Sequence, residues 1–525
     1  MSSVLLQSYF QLAFLFLAAM VFSTLASYGG FAGLPWLWRI GFILPVLLLP
    51  TIASASLRTD RSLSLPRYLA PALALLAIAF RLATALWPSA RAGAPLGYDA
   101  GFYKYGLDVY LSALPNVPES SLEPWFRQFH EPGLFLVADL LHVFSGVSAD
   151  QLLLYVLPAL SALPVLWAFL LGRRVAGDLA GVLAAWLVAA SSVQFLAVDF
   201  SYLRQIAGLG FLLLALYAIT TRKWMMVGLL LAALLLYHRP ELLLAALALG
   251  VLFLMGQSRR QITLATLVGM AISVPLIVAR WDVNWAALWG NVQVSLGLLT
   301  GPDIIVGGSF VSPRRYVALA GPYLFLGISG ALLALRDRRW TPLWALAGLT
   351  FLFVAFGLFF HSRFLLNLDL ALALLAAVLV VTMAANAQPR WQRLAWLAIG
   401  LLAIVASLVV TTTELRTAEP VFTREQIEST RWLADHSPPE ALVLASGPDA
   451  PLALGWSGRA VVTPGLLGEQ HYGREEWLTF MDSEDPDSAY RFLAVYKAPL
   501  YVLVTDGSAA AMVSAKFQEP RFRVA

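Results

Sequence analysis

Residues 165–195 read VLWAFLLGRRVAGDLAGVLAAWLVAASSVQF. Two apolar runs flank a short turn carrying Arg173 and Arg174. Each run approaches the ~20 residues that a helix needs to cross about 30 Å of hydrocarbon. Short basic turns between such runs mark the cytoplasmic side of a membrane protein. The same pattern recurs in both directions along the chain. Hydropathy places spans at 4–24, 36–56, 68–87, 151–171, 179–198, 205–221, 223–237, 241–256, 262–280, 316–335, 341–360, 364–384 and 394–413. The expected fold is therefore mainly α, a polytopic transmembrane bundle of about thirteen helices. The 4–24 run lacks a positive leader and is followed by many further spans, so it reads as a membrane helix and not a cleaved signal. The 223–237 run is short, with a break from its neighbour expected at Pro240.

Composition agrees. Of 525 residues, 59% are hydrophobic and 13% charged, and mean hydropathy is +0.75. A soluble domain is roughly 45–50% apolar and about 25% charged. A soluble enzyme and a disordered chain are both excluded. With no cysteine, disulfides, thiolate zinc sites and cysteine nucleophiles are excluded too. The net charge of +4 is not gathered into a basic tract with interleaved aromatics, so nucleic acid is not an expected partner. There is no GK dipeptide, HExxH pair or GxSxG elbow, so a P-loop ATP-driven transporter is not expected.

Basic residues choose the sides. Alternate short loops carry Arg58, Arg61 and Arg67; Arg173 and Arg174; Arg222 and Lys223; Arg259 and Arg260; Arg336, Arg338 and Arg339; Arg390 and Arg393. These loops are expected in the cytoplasm. The long segments 88–150 and 281–315, and the tail from about 414, then lie outside. Residues 131–147 (EPGLFLVADLLHVFSGV) are apolar, but a crossing there would reverse every later basic loop. They also carry Asp139 and His142, which are costly at mid-membrane. The segment reads as an amphipathic interfacial helix. Composition turns polar near Glu414. Apolar runs at 441, 460 and 500 follow a helical pattern over Arg424–His436, which predicts a small extracytoplasmic α/β domain. The expected domains are 1–413, a transmembrane catalytic domain including the loop 88–150, and 414–525. The ending RFRVA leaves open a chain that continues further.

The polar chemistry gathers on one side. All six histidines fall outside or at the outer interface on this topology. Arg39, Arg81, Asp199, Arg204, Arg239, Glu241, Arg363 and Asp369 are read at outer helix ends. Some of them, Arg39 and Arg81 above all, could snorkel to the interface, but a cluster of both signs points to a wet, protein-lined cavity. In GYDAGFYKYGLDVY, Asp99 beside Tyr98 could serve as general base or cation ligand, or simply form a turn. In QFHEPG, His130 and Glu131 precede a helix whose N-terminus an acid would cap. In VDFSYLRQ, Asp199 and Arg204 could pair with each other; alternatively Asp199 joins Asp99 while Arg204 grips a phosphate. YHRPE packs His238, Arg239 and Glu241 between two spans, a density suited to phosphate or pyrophosphate, and HSRF adds Arg363.

This order of parts resembles the GT-C superfamily of membrane glycosyltransferases, which take sugars from polyprenyl phosphates. The resemblance begins near residue 68 and covers nearly all the rest. It rests on GYDAGFY after an early span, HEPG at 130–133, the span–turn–span quoted above, Asp199, SRFLLNLDLALALLAA, and STRWLADHSPPEALVLAS opening the tail. Three departures stand out. Asp99 is followed by Ala100 and not a second acid. Gly133 replaces a second proline. ASGPDAPLALGWSGR stands where oligosaccharyltransferases carry WWDYG. The resemblance thus implies a plasma-membrane monosaccharide transferase, similar to aminoarabinose, mannosyl or arabinofuranosyl transferases. Its donor would be a polyprenyl-phosphate sugar such as an undecaprenyl phosphate one, and its acceptor an extracytoplasmic protein, lipid or glycan. Asp99 would deprotonate the acceptor. Arg204, His238 and Arg239 would neutralise the departing phosphate, with Tyr98, His130, Glu131, Glu241 and Arg363 completing the binding residues. Asp199 would hold the sugar or share a divalent cation, Mg or Mn, with Asp99; metal dependence is left open. The competing reading is a secondary transporter or a lipid or polysaccharide flippase. Such proteins commonly show paired repeats and midplane charges, neither of which is evident here.

Overall fold

The computed structural model describes residues 63, 65–118, 122, 124–295, 310–335, 340–359, 361–463, 471–472, 474–503 and 505. The spans expected at 4–24 and 36–56, with Arg39, Arg58, Arg61 and the basic turn 336–339, lie outside the described residues. The chain divides into two compact units. The first combines residues up to Trp87 with Leu157–Ala418, and the second combines Pro88–Val156 with Glu419–Ala525. The segment 88–150, expected to belong with the transmembrane domain, therefore groups with the tail.

The first unit is helical. In chain order the helices are α1 (Leu69–Ala92), the end of which enters the second unit; α5 (Ala149–Ala176), which enters from it; α6 (Asp178–Ala189); α7 (Ser192–Asp199); α8 (Leu203–Thr220); α9 (Trp224–Tyr237); α10 (Arg239–Leu254); α11 (Arg259–Ala279); α12 (Trp281–Ser295); α13 (Pro313–Ala334); α14 (Thr341–Ala355); α15 (Phe364–Asn386); and α16 (Arg390–Thr417). Among the described residues, α1, α5, α8, α11, α13, α15 and α16 are long and apolar enough to cross a membrane. The run expected at 179–198 is split into α6 and α7, bent by 44°. Ser191 causes the split, its hydroxyl accepting from Gln194 N–H at 3.1 Å as the N-cap of α7. α9 and α14 are shorter apolar helices. The break expected at Pro240 lies at His238, whose backbone is extended (φ −164°, ψ 109°), while Pro240 sits in the first turn of α10, where its missing N–H costs nothing. α15 is the axis of the unit: its apolar window is wholly buried.

Arg81 corrects the sequence reading. It lies mid-helix in α1 and is 2% exposed, so it does not snorkel. Its guanidinium donates to Gln194 O. Gln194 Nε2 donates to Asp369 Oδ2 at 2.9 Å and to Leu366 O at 2.9 Å. Ser191 Oγ donates to Asp369 Oδ2 at 2.8 Å, and Tyr323 OH donates to Oδ1. Asp369 is six residues inside α15 and fully buried. The opposite charge of Asp369, acting through this network, lets Arg81 turn inward.

The second unit holds α2 (Ala100–Ala113), α3 (Pro124–Phe129), α4 (Gly133–Ser145), α17 (Arg424–His436), β1 (Leu442–Leu444), α18 (Ala450–Trp456), β2 (Ala460–Val462), α19 (Arg474–Asp482), α20 (Pro486–Leu493) and β3 (Leu500–Val502). All three expected strands form. They make a parallel sheet in the order β2-β1-β3, with Leu442 opposite Ala460 and Leu500. Side chains alternate across it. Val443 and Val461 pack with Phe102, Leu433 and Leu454, while Leu444 and Val462 pack with Trp477, Phe480 and Leu493. Covering both faces with helices is what a parallel sheet requires. At 13 residues, α4 is about 20 Å long, too short to cross a membrane.

Candidate functional site

Three helix N-termini come together in the first unit. A Cβ on Gly208 of α8 would sit 3.0 Å from His238 Cβ and 3.4 Å from Glu241 Oε2. Asn367 Nδ2 of α15 donates to Glu241 Oε1 at 3.3 Å. Gln205 Nε2 of α8 donates to the carbonyl of Arg363, the residue before α15, at 3.1 Å. The first turns of α8, α10 and α15 therefore share one corner, and each brings the positive end of a helix dipole. They also bring Arg204, His238, Arg239 and Arg363, four of the residues singled out above. Within these turns the only carboxylate is Glu241. It is fully buried and held by His238 Nδ1 and Asn367, so it acts as the internal partner of His238. Arg239 does not take Glu241; its Nη1 donates to Asn284 Oδ1 of α12 at 3.2 Å. The Arg363 guanidinium lies 4.4 Å from the Tyr202 ring centroid, within the reach of a cation–π contact. Helix N-termini combined with guanidinium forks form an anion site.

Asp199, at the end of α7, is half-buried and within electrostatic reach of Glu414 and Arg315. Arg315 Nη2 donates to Glu414 Oε2 at 2.9 Å. Asp199 and Asp99 fall in different units. Among the described residues there is no group of three or more His, Cys, Asp or Glu that could hold a metal ion.

In the second unit, Asp99 is the N-cap residue of α2, yet its side chain makes no capping bond. Capping therefore does not explain its carboxylate. Pro132 is the N-cap of α4 and makes no side-chain capping bond, and Glu131 directly precedes it. Both His130 and Glu131 are buried. The His130 ring stacks on Phe126 at 4.3 Å and meets Tyr103 edge-on at 6.0 Å. The sequence reading missed Asp449. A Cβ on Gly101 would fall 1.9 Å from Pro451 O, so only glycine allows α2 to meet α18 backbone to backbone. That contact brings the 446–449 turn to Tyr98, whose hydroxyl donates to Gly447 O at 2.6 Å. Asp449 accepts from Ser446 Oγ at 2.6 Å and from Thr505 Oγ1 at 2.8 Å. Burial, then Asp99 and Asp449, push the Tyr98 phenol well above its ordinary range, keeping it a protonated donor. The signal was GYDAG together with ASGPDAP, which had been read only as a missing motif.

No protein-family profile matches the chain, and no curated protein matches it by sequence. Solved structures do. The archaeal oligosaccharyltransferase AglB from Archaeoglobus fulgidus, in complex with an inhibitory peptide and a dolichol-phosphate, matches at TM-score 0.62 and 14% identity, over 82% of this chain and 69% of that one. The Archaeoglobus fulgidus oligosaccharyltransferase in complex with Zn and sulfate matches at 0.61 and 17%, over 82% and 67%. ArnT from Cupriavidus metallidurans bound to undecaprenyl phosphate matches at 0.52 and 15%, over 84% and 96%. The chain shares the fold of these structures, in keeping with the resemblance, and its long apolar helices make it an integral membrane protein.

Proposed function

We propose that this chain is a membrane glycosyltransferase that moves one sugar from a polyprenyl phosphate to an acceptor. The observation that carries the reading is the convergence of the α8, α10 and α15 N-termini with Arg204, His238, Arg239 and Arg363. AglB with dolichol-phosphate and ArnT with undecaprenyl phosphate lend support through their shared fold. An acceptor oxygen or nitrogen bonds to the anomeric carbon, and the bond from that carbon to the phosphate oxygen breaks. Polyprenyl phosphate departs with the electron pair, and the acceptor proton passes to Asp99. The charge growing on the phosphate is met by fixed cations and helix ends, which need no reorganisation during the step. Buried Glu241 keeps His238 oriented. Asp199 and Tyr98 bind the sugar and the acceptor. His130 and Glu131 complete the acceptor side, with Asp449 added to it. The step as written uses only side chains of this chain, and a divalent cation shared by Asp99 and Asp199 stays an open addition to it.

In this reading the site faces the extracytoplasmic side of the plasma membrane, which the basic short loops support because such loops favour the cytoplasm. A flippase or secondary transporter is disfavoured, because the charges gather at helix N-termini. The test uses the purified chain in vesicles with labelled polyprenyl-phosphate sugars. Label should move to an acceptor in membranes, and at low donor concentration about tenfold less of it should move with Arg239→Ala. Failure both to transfer label and to bind undecaprenyl phosphate would sink the reading.

A further inference from the structure

Helix α12 carries Trp281, Trp285 and Trp289, spaced four apart and so on one face. Their ring centroids follow one another at 6.1 and 6.4 Å, with planes tilted by 10° and 3°. They are 62%, 54% and 50% exposed. With ~250 Å² per indole, the ladder offers about 400 Å² of aromatic surface. The helix is held from another side, where Val283 is buried and Asn284 Oδ1 accepts from Arg239. α12 starts two residues after α11 ends at Ala279. α11 has only 22% of its apolar window buried and exposes Leu264, Leu267, Met270, Val274 and Val278. A span with that surface faces lipid. The ladder thus continues a lipid-facing surface at the end of a span, on a helix whose 15 described residues include Asp282 and Asn284 and do not make an apolar run. Indoles carry an apolar ring and one N–H donor, and they settle where headgroups meet acyl chains.

We infer that α12 lies along the membrane interface, with its tryptophan ladder seated at the headgroup–acyl boundary, and from there steadies Arg239 through Asn284. The seating stands without the proposed function; the consequence for donor binding rests on it.

The cysteine-free sequence makes the test direct, because Trp285→Cys gives a single site for a nitroxide label. The labelled full chain goes into nanodiscs of phosphatidylethanolamine and phosphatidylglycerol. Power saturation then compares access by oxygen, which partitions into lipid, with access by a water-soluble nickel chelate. Val278→Cys supplies the lipid reference and the exposed Glu440→Cys the water reference. The oxygen-to-nickel ratio for Trp285→Cys should fall between the two. Adding Trp281→Ser and Trp289→Ser should shift it to the Glu440→Cys value. A ratio already at the water value, low access to both reagents, or a ratio unmoved by the serine changes would overturn the seating. Gel filtration confirms folding of the triple variant, and Trp285→Cys alone already decides the position. Asn284→Ala should weaken binding of undecaprenyl phosphate several-fold without moving the label. Wild-type binding unchanged by Asn284→Ala would overturn the link to Arg239. A wild type that binds no undecaprenyl phosphate would overturn the donor reading and leave the label result standing.

Discussion

Two groups of charge lie in the same helical unit and do opposite things. Around Asp369, a carboxylate deep in α15 accepts from Ser191, Gln194 and Tyr323, while Arg81 closes the circuit through Gln194. Around Glu241, the first turns of three helices bring three arginines and a histidine against one carboxylate, and that carboxylate is already taken by His238 and Asn367. The first group surrounds one buried carboxylate with donors. The second gathers cationic side chains at helix N-termini, whose dipoles carry the same sign. An ionisable side chain in a membrane helix is thus not by itself a mark of function. What is gathered around it separates a fastening from a site.

The largest test of that contrast is Asp369→Leu. It leaves the buried Ser191, Gln194 and Tyr323 donors unmet, at about 1–3 kcal/mol each, and takes away the charge that answers Arg81, so thermal melting in detergent should show a large loss of stability. An unchanged melt would mean that Arg81 has another partner and that the Asp369 group is not a fastening. Asp99→Asn should come next. It should cut transfer by roughly 10²–10⁴-fold, the usual worth of a general base, with the melting temperature kept. Activity per folded molecule surviving within a few-fold would remove Asp99 from the chemistry. Arg239→Ala should raise the donor KM by about tenfold, the effect of losing one charge-assisted bond of about 1.5 kcal/mol, with melting unchanged. Equal weakening of donor and acceptor use would move the phosphate elsewhere.

The smallest effect belongs to a third kind of charge. Asp139 in α4 is buried, and its Oδ1 has no hydrogen-bond partner among the described residues. Burial raises it from 3.8 to about 6, against the pull of His142. The folded chain therefore binds this proton more tightly than the unfolded chain. Stability from this group is full below about pH 4, falls as pH rises toward 6, and is level above. Asp139→Asn should raise the melting temperature slightly at pH 7.5 and leave it unchanged at pH 3.5. A variant that melts lower at pH 7.5 would show that the carboxylate has a partner.

Local signals carried most of the architecture. The pattern over Arg424–His436 became a helix with those bounds, and the three short apolar runs became three paired strands. Hydropathy also found the long helices, because each buries or exposes a continuous apolar surface on its own. Long-range pairing was not legible. Nothing near Arg81 announces Asp369, so a guanidinium in an apolar run reads as a snorkelling end when it is an internal partner. The split of α6 from α7 hung on Ser191, one polar residue in an otherwise continuous apolar run. Asp449 stayed hidden because its place beside Tyr98 depends on Gly101 meeting Pro451, a contact between distant stretches that no periodicity encodes.

The order of synthesis gives the Asp369 cluster a further meaning. Helices enter the membrane from the N-terminal end, and an unpaired carboxylate inside a span resists insertion. Arg81, Ser191, Gln194 and Tyr323 all precede Asp369 in the chain, as Glu241 precedes Asn367. When α15 leaves the ribosome, every group that will receive its two polar side chains is already made. The most enclosed helix of the unit can therefore be fastened on arrival, before α16 exists to cover it.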